Sequence, residues 1–185
     1  MYKLKWTRLQ NEIIRFLCIK AGLIFNLREI ARQLKVSPTA VSKSLDGLEK
    51  GGIISIERNK KMNLLDIELN RENSKTIDLK RVENLKLLYE SGLSNLFLDE
   101  FPGGTIILFG SYSRGEDVLN KNNEGSSDID LAIIGRKEKE LDLSNFEKLL
   151  ERKIIINFYD SWKSIHKHLK DNILNGILLQ GGVDL

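Results

Sequence analysis

The stretch from Thr105 to Ile134, TIILFGSYSRGEDVLNKNNEGSSDIDLAII, most constrains the fold. An apolar run, Thr105 to Phe109, has the length and composition of a buried strand. Gly110-Ser111 follows at once, then a short segment with helical potential to Val118 and a loop rich in Asn, Gly and Ser. The excess length in that loop, around NKNNEG, reads as a surface insertion. A second strand, Asp128 to Ile134, then opens with Asp128-Ile129-Asp130. Carboxylates two residues apart on a strand point to the same face. Their repulsion raises a pKa unless a hard divalent cation takes both as ligands. Gly110 permits close backbone approach to a ligand. A helix start near Ser111 suits an anion, Ser111 supplies a hydroxyl, and Arg114 supplies a positive charge. Together these residues suit a metal-bound nucleoside triphosphate.

Gly110-Ser111 followed by Asp128-x-Asp130 on a strand resembles the nucleotidyltransferase superfamily that includes DNA polymerase beta. The wording GSYSRGE is especially similar to the minimal nucleotidyltransferases of archaea and bacteria. The resemblance runs from about Leu85 to the C-terminus. It implies Mg²⁺ on Asp128 and Asp130, and the β- and γ-phosphates of an NTP, ATP foremost, on Gly110, Ser111 and Arg114. It also implies a third carboxylate on a neighbouring strand. In the third strand expected here, Ile154 to Tyr159, the matching place reads as Asn157, which is taken as the third catalytic position with Asp128 and Asp130. An amide there brings no charge and cannot act as a base. Asp160, Glu116 and Asp117 are the alternative carboxylates, none supported by spacing.

The front of the chain has a different character. Residues 1–70 carry 13 Lys+Arg against 7 Asp+Glu, and residues 71–185 carry 16 against 19. A basic front half suggests a module for a polyanion. Residues 6–21 have a helical pattern, with Ile13, Ile14 and Leu17 on one face. Asn26 and Glu29 have the spacing of a capping box. Leu27, Ile30, Ala31 and Leu34 continue as one face of a helix. Ser37-Pro38 starts the next helix, with stripe Val41, Leu45 and Leu48 and stop Gly51-Gly52. Opposite the stripe lie Thr39, Lys43, Asp46 and Lys50, with Ser42 on the flank, a small and basic face that a major groove admits. Two strands, Ile53 to Glu57 and Asn63 to Leu69, flank a turn with Arg58, Asn59, Lys60 and Lys61. This order is that of a winged helix-turn-helix, and REIARQLKVSPTAVSKSLDGLEKGGII is similar to MarR-like regulators. The resemblance implies a recognition helix at 38–50 in the major groove of double-stranded DNA. It also implies a wing at 58–61 on the backbone or minor groove, and a homodimer on paired half-sites.

The expected architecture is α+β: a winged helix-turn-helix domain (1–70), a polar junction (71–82) and a small mixed-sheet nucleotidyltransferase-like α/β domain (83–185). A helix is expected over about 82–89, another over 93–101, one over 143–150, an amphipathic helix over 161–174 and an edge strand at 177–180. His166 and His168, two apart on that helix, are expected to face solvent rather than each other. The single Cys18 lies in an apolar pattern and cannot pair internally. With no signal-peptide pattern and no apolar run near the roughly 18 residues that span a bilayer, a cytoplasmic protein without membrane association is expected.

Two functions follow. One is a DNA-binding protein whose Mg²⁺-dependent domain transfers a nucleoside monophosphate from an NTP to a protein acceptor, such as a partner toxin, or to a small molecule. The other is a transcription regulator whose degenerate nucleotidyltransferase domain only binds a nucleotide or other ligand.

Overall fold

The computed structural model describes residues 6–59, 64–121 and 125–183. The chain divides into two compact units, residues 1–80 with 118–125, and residues 81–117 with 126–185.

In the first unit, α1 (Arg8–Ile19) starts at Thr7 through a capping box with Gln10. The helices α2 (Leu27–Gln33) and α3 (Pro38–Lys50) start where the polar punctuation predicts. Asn26 Oδ1 accepts the Arg28 and Glu29 N–H groups, both at 3.0 Å, and Glu29 Oε2 accepts the Asn26 N–H at 2.7 Å. Ser37 Oγ accepts the Ala40 N–H at 3.2 Å, with Pro38 in the first helical turn. Ile13, Leu17, Ile30, Val41, Leu45 and Leu48 are buried in one core. Each such side chain contributes about 1.5–3 kcal/mol relative to exposure.

A hairpin of β1 (Ile54–Asn59) and β2 (Leu64–Leu69) closes this core from Ile53 to Leu69. Phe25 bridges to Ile67, adding a third edge ahead of α2. The hairpin differs from expectation in one respect: Arg58 and Asn59 continue β1 instead of lying in the turn. Lys60 and Lys61 lie outside the described residues.

Val118 and Leu119 belong to this unit, and in the stretch read as a surface insertion the described residues Asn120, Lys121 and Gly125 are exposed, as expected. Leu119 is only 6% exposed, and its N–H donates to the Ala21 carbonyl at 2.7 Å. Gly22 makes room for this contact. It sits at φ +95°, and a Cβ there would meet the Leu119 carbonyl oxygen at 2.7 Å.

Helix α4 (Ser74–Glu90) begins inside the stretch read as a polar junction and runs through the boundary between the two units. In the second unit α5 (Leu93–Glu100) precedes β3 (Thr105–Phe109), α6 (Gly110–Arg114), β4 (Ile129–Ile134), α7 (Ser144–Leu150), β5 (Ile154–Tyr159), α8 (Lys167–Leu174) and β6 (Ile177–Gln180). The sheet order is β5-β4-β3-β6. Its central pair and the β3–β6 pair are antiparallel, and β4–β5 is parallel, so the sheet is mixed. Alternation gives each face its own core. Ile106, Leu108, Ile129, Leu131, Ile133 and Ile154 pack on one side. Ile107, Phe109, Ala132 and Ile134 pack on the other with Trp162, Ile165 and Ile173.

The helix expected over 161–174 is split. A short 3₁₀ turn (Trp162–Ser164) is followed by extended backbone at Ile165 and His166 before α8 begins. His166 therefore stands outside the helix, and its ring comes within 5.6 Å (centroid to centroid) of His168. Both histidines are exposed, as expected, but they do not point apart, because the single continuous helix which that expectation assumed is broken ahead of α8. No helix among the described residues is long and apolar enough to cross a membrane.

Candidate functional site

The candidate nucleotide site lies where β3 ends, α6 begins and β4 starts. In register, Phe109 pairs with Asp130, so the turn into α6 stands beside the second carboxylate. Gly110 is required there twice over. Its φ is +76°, and a Cβ would lie 2.4 Å from Asp130 Oδ2 and 3.2 Å from its Cγ. The glycine thus leaves the space that the carboxylate fills. Ser111 is partly buried and opens the short helix; its carbonyl accepts the Glu116 N–H at 3.0 Å. Helix α6 is only 5 residues long and ends at Gly115, well short of the expected Val118.

Asp128 immediately precedes β4, and Asp130 is its second residue. Burial raises the Asp130 pKa above the ordinary carboxylate value, the charge of Asp128 raises it further, and Arg114 opposes both. The two carboxylates and Arg114 therefore share one electrostatic environment. Arg114 is exposed, donates to Glu116 at 2.7 Å and reaches Asn172 Oδ1 at 3.3 Å.

Strand register fixes which residue of β5 stands beside Asp130. Ile129 pairs with Ile154, Asp130 with Ile155 and Ala132 with Asn157, in parallel. Because Ile154, Ile156 and Phe158 serve the opposite core, Ile155 and Asn157 share the Asp130 face. The residue directly beside Asp130 is therefore Ile155, which is 41% exposed. Asn157 stands one row further along, and its Nδ2 lies 3.4 Å from the Leu131 carbonyl.

The alternative carboxylates are elsewhere. Asp160 follows the far end of β5, five residues past Ile155, or about 16 Å at the usual strand rise. Glu116 is held by Arg114. Asp117 is fully buried, with Oδ1 accepting from Asn84 Nδ2 at 2.6 Å and Oδ2 from Arg152 at 2.8 Å. Among the described residues no group of three or more His, Cys, Asp or Glu gathers to hold a metal ion. Two carboxylates so placed would suit one Mg²⁺, an ion that takes one or two carboxylates and leaves its other positions to phosphate and water. A cation there would offset the repulsion that raises Asp130.

Sequence reasoning missed the frame beneath this site. Asn84 on α4 donates to the Tyr112 carbonyl at 2.9 Å, and the Tyr112 hydroxyl donates back to the Asn84 carbonyl at 3.3 Å. Burial, with Asp117 nearby, raises the Tyr112 pKa. Arg152 ties the segment after α6 to the start of β5. Each member is an ordinary polar residue in sequence, and only their burial together identifies them.

In the first unit Thr39, Ser42 and Lys43 are all exposed on α3, opposite the buried Val41, Leu45 and Leu48. Lys50 is engaged by Asp46 at 2.8 Å. Arg58 is exposed near the outer end of β1.

Residues 91–179 match the family model of the nucleotidyltransferase domain. That span includes Gly110, Ser111, Arg114, Asp128, Asp130, Ile155 and Asn157. Among solved structures the chain is similar to ZitR of Lactococcus lactis, a zinc-responsive MarR family member, at 27% identity. The match covers 54% of this chain and 68% of that one, with a TM-score of 0.38. The same protein in complex with DNA gives 27% identity, 54% and 67% coverage and a TM-score of 0.37. The adhesin competence repressor AdcR of Streptococcus pyogenes gives 18% identity, 55% and 70% coverage and 0.42. At such scores these likenesses carry no argument beyond what the helices and hairpin of the first unit already provide. No curated protein matches the chain.

Proposed function

We propose that this protein is a DNA-binding regulator, acting as a homodimer, whose nucleotidyltransferase domain binds a magnesium-bound nucleoside triphosphate and does not transfer it. The observation that carries this reading is the β4–β5 register, with Ile155 directly beside Asp130. An isoleucine neither ligates a metal nor accepts a proton. Asn157, one row on, supplies no charge either. The binding half of the site is complete by comparison. Asp128 and Asp130 would hold Mg²⁺, which when bound neutralises phosphate charge. The Ser111 hydroxyl can donate to a phosphate oxygen, Gly110 lets the backbone come close, and Arg114 adds a positive charge. In the first unit, Thr39, Ser42 and Lys43 form the face offered to the major groove. A bound nucleotide changes DNA affinity only through unequal affinity for two states of the protein.

Transfer is the second reading, favoured by the nucleotidyltransferase match over residues 91–179. An acceptor hydroxyl, on a protein or a small molecule, would attack the α-phosphorus. Pyrophosphate would leave, and the hydroxyl proton would pass to water rather than to a third carboxylate.

Calorimetry with ATP, with and without Mg²⁺, tests binding in the parent and in Asp130→Asn. ATP labelled at the α-phosphate, added with cell extract, tests transfer in the parent and in Ile155→Asp. Magnesium-dependent binding lost in Asp130→Asn, with no transfer by the parent and transfer gained by Ile155→Asp, is the expected result. Transfer by the parent would establish the second reading. Equal binding by Asp130→Asn would remove the metal role assigned to that residue.

A further inference from the structure

The first unit carries a basic site that neither α3 nor the hairpin accounts for. Arg28 and Arg32 are one turn apart on α2, so they share a face. Both are exposed, and both line an open cleft with Asn26, Glu29 and Leu64. Leu64 is the first residue of β2, and the Phe25–Ile67 bridge fixes that strand to the segment entering α2. Both walls of the cleft are therefore held in place.

The charge pattern sets α2 apart. On α1, Arg8 pairs with Glu12, and on α3, Lys50 pairs with Asp46, each four residues away. On α2 the residue four beyond Arg28 is a second arginine. Like charges at this spacing destabilise a helix. Neither guanidinium has an ion pair among the described residues. Glu29, the one carboxylate among the described residues of the cleft, has Oε2 turned to the Asn26 N–H at 2.7 Å. The described residues of the cleft therefore carry a net positive charge.

We propose that Arg28 and Arg32 clamp a backbone phosphate of duplex DNA. The planar fork of each guanidinium matches phosphate oxygens, and the first helix of a helix-turn-helix crosses the DNA backbone. No aromatic ring is among the described residues that line the cleft, so these offer a base no stacking surface. The clamp positions the duplex and reads no sequence. The proposal rests on the DNA-binding reading above.

Fluorescence anisotropy of the full chain with a labelled duplex of mixed sequence, across a salt series, tests it. Three proteins are compared: the parent, Arg28→Ala/Arg32→Ala, and Arg71→Ala/Lys75→Ala. The last pair is also exposed in the first unit and removes the same charge. The α2 variant should bind about tenfold more weakly near 0.1 M salt, with a salt slope shallower by about 1. The control should keep the parental slope. Equal losses in the two variants, or an unchanged slope in the α2 variant, would overturn the clamp while leaving DNA binding intact. A parent that binds no duplex at any salt would overturn the DNA-binding reading and the clamp with it. Thermal melting of both variants at the parental temperature is expected, because all four side chains are exposed.

Discussion

In the first unit Thr39, Ser42 and Lys43 occupy one helix, and the helical repeat alone turns them outward while Val41, Leu45 and Leu48 turn in. In the second unit the site is assembled from the end of β3, the start of α6, the start of β4 and the neighbouring row of β5. The proposed recognition face needs only a formed helix. The candidate nucleotide site needs three strands in one register and a glycine that yields space to Asp130. Local spacing is therefore enough to place the first, whereas the neighbours within the second depend on how the strands pair.

The strongest test of this contrast is Asp117→Ala. It removes the buried carboxylate that accepts from both Arg152 and Asn84, and should cost about 3–5 kcal/mol of stability. Urea unfolding of the full chain measures it. A loss below about 1 kcal/mol would mean that the frame under the nucleotide site is dispensable.

Gly110→Ala comes next. A left-handed φ costs a residue with a side chain about 1–2 kcal/mol. The new Cβ also pushes Asp130 from its place, so magnesium-dependent ATP binding should disappear in calorimetry. Retained binding would show that the turn and the carboxylate are less tightly coupled than the 2.4 Å approach implies.

The smallest effect is expected in the first unit. Asn26→Ala removes one capping box and should cost about 1 kcal/mol, read by thermal or urea unfolding. Duplex binding should persist, because α3 keeps its own cap at Ser37. Loss of duplex binding would show that the recognition face depends on its neighbours as much as the nucleotide site does.

Much of the fold is legible in the sequence because its signals are short-ranged. Asn26 with Glu29 and Ser37 with Pro38 mark helix starts within a few residues, and the runs at Thr105, Asp128, Ile154 and Ile177 mark all four strands of the second sheet. Where a break depends on surroundings, the reading fails. The 161–174 pattern buries Trp162, Ile165 and Ile173 as a single helix would, yet the chain buries them as a 3₁₀ turn, an extended pair and a shorter helix. The hydrophobic pattern is satisfied either way.

By itself, the sequence determines the Gly110-Ser111 turn, the Asp128–Asp130 pair, the α3 surface and the order of the elements, since each is set by residues a few positions apart. Tertiary structure decides which residue of β5 meets Asp130, that Asp117 belongs to a buried ion pair and not to a metal site, and that Leu119 is core. Those outcomes depend on strand register and on burial among residues distant in the chain, and neither is encoded in any local period.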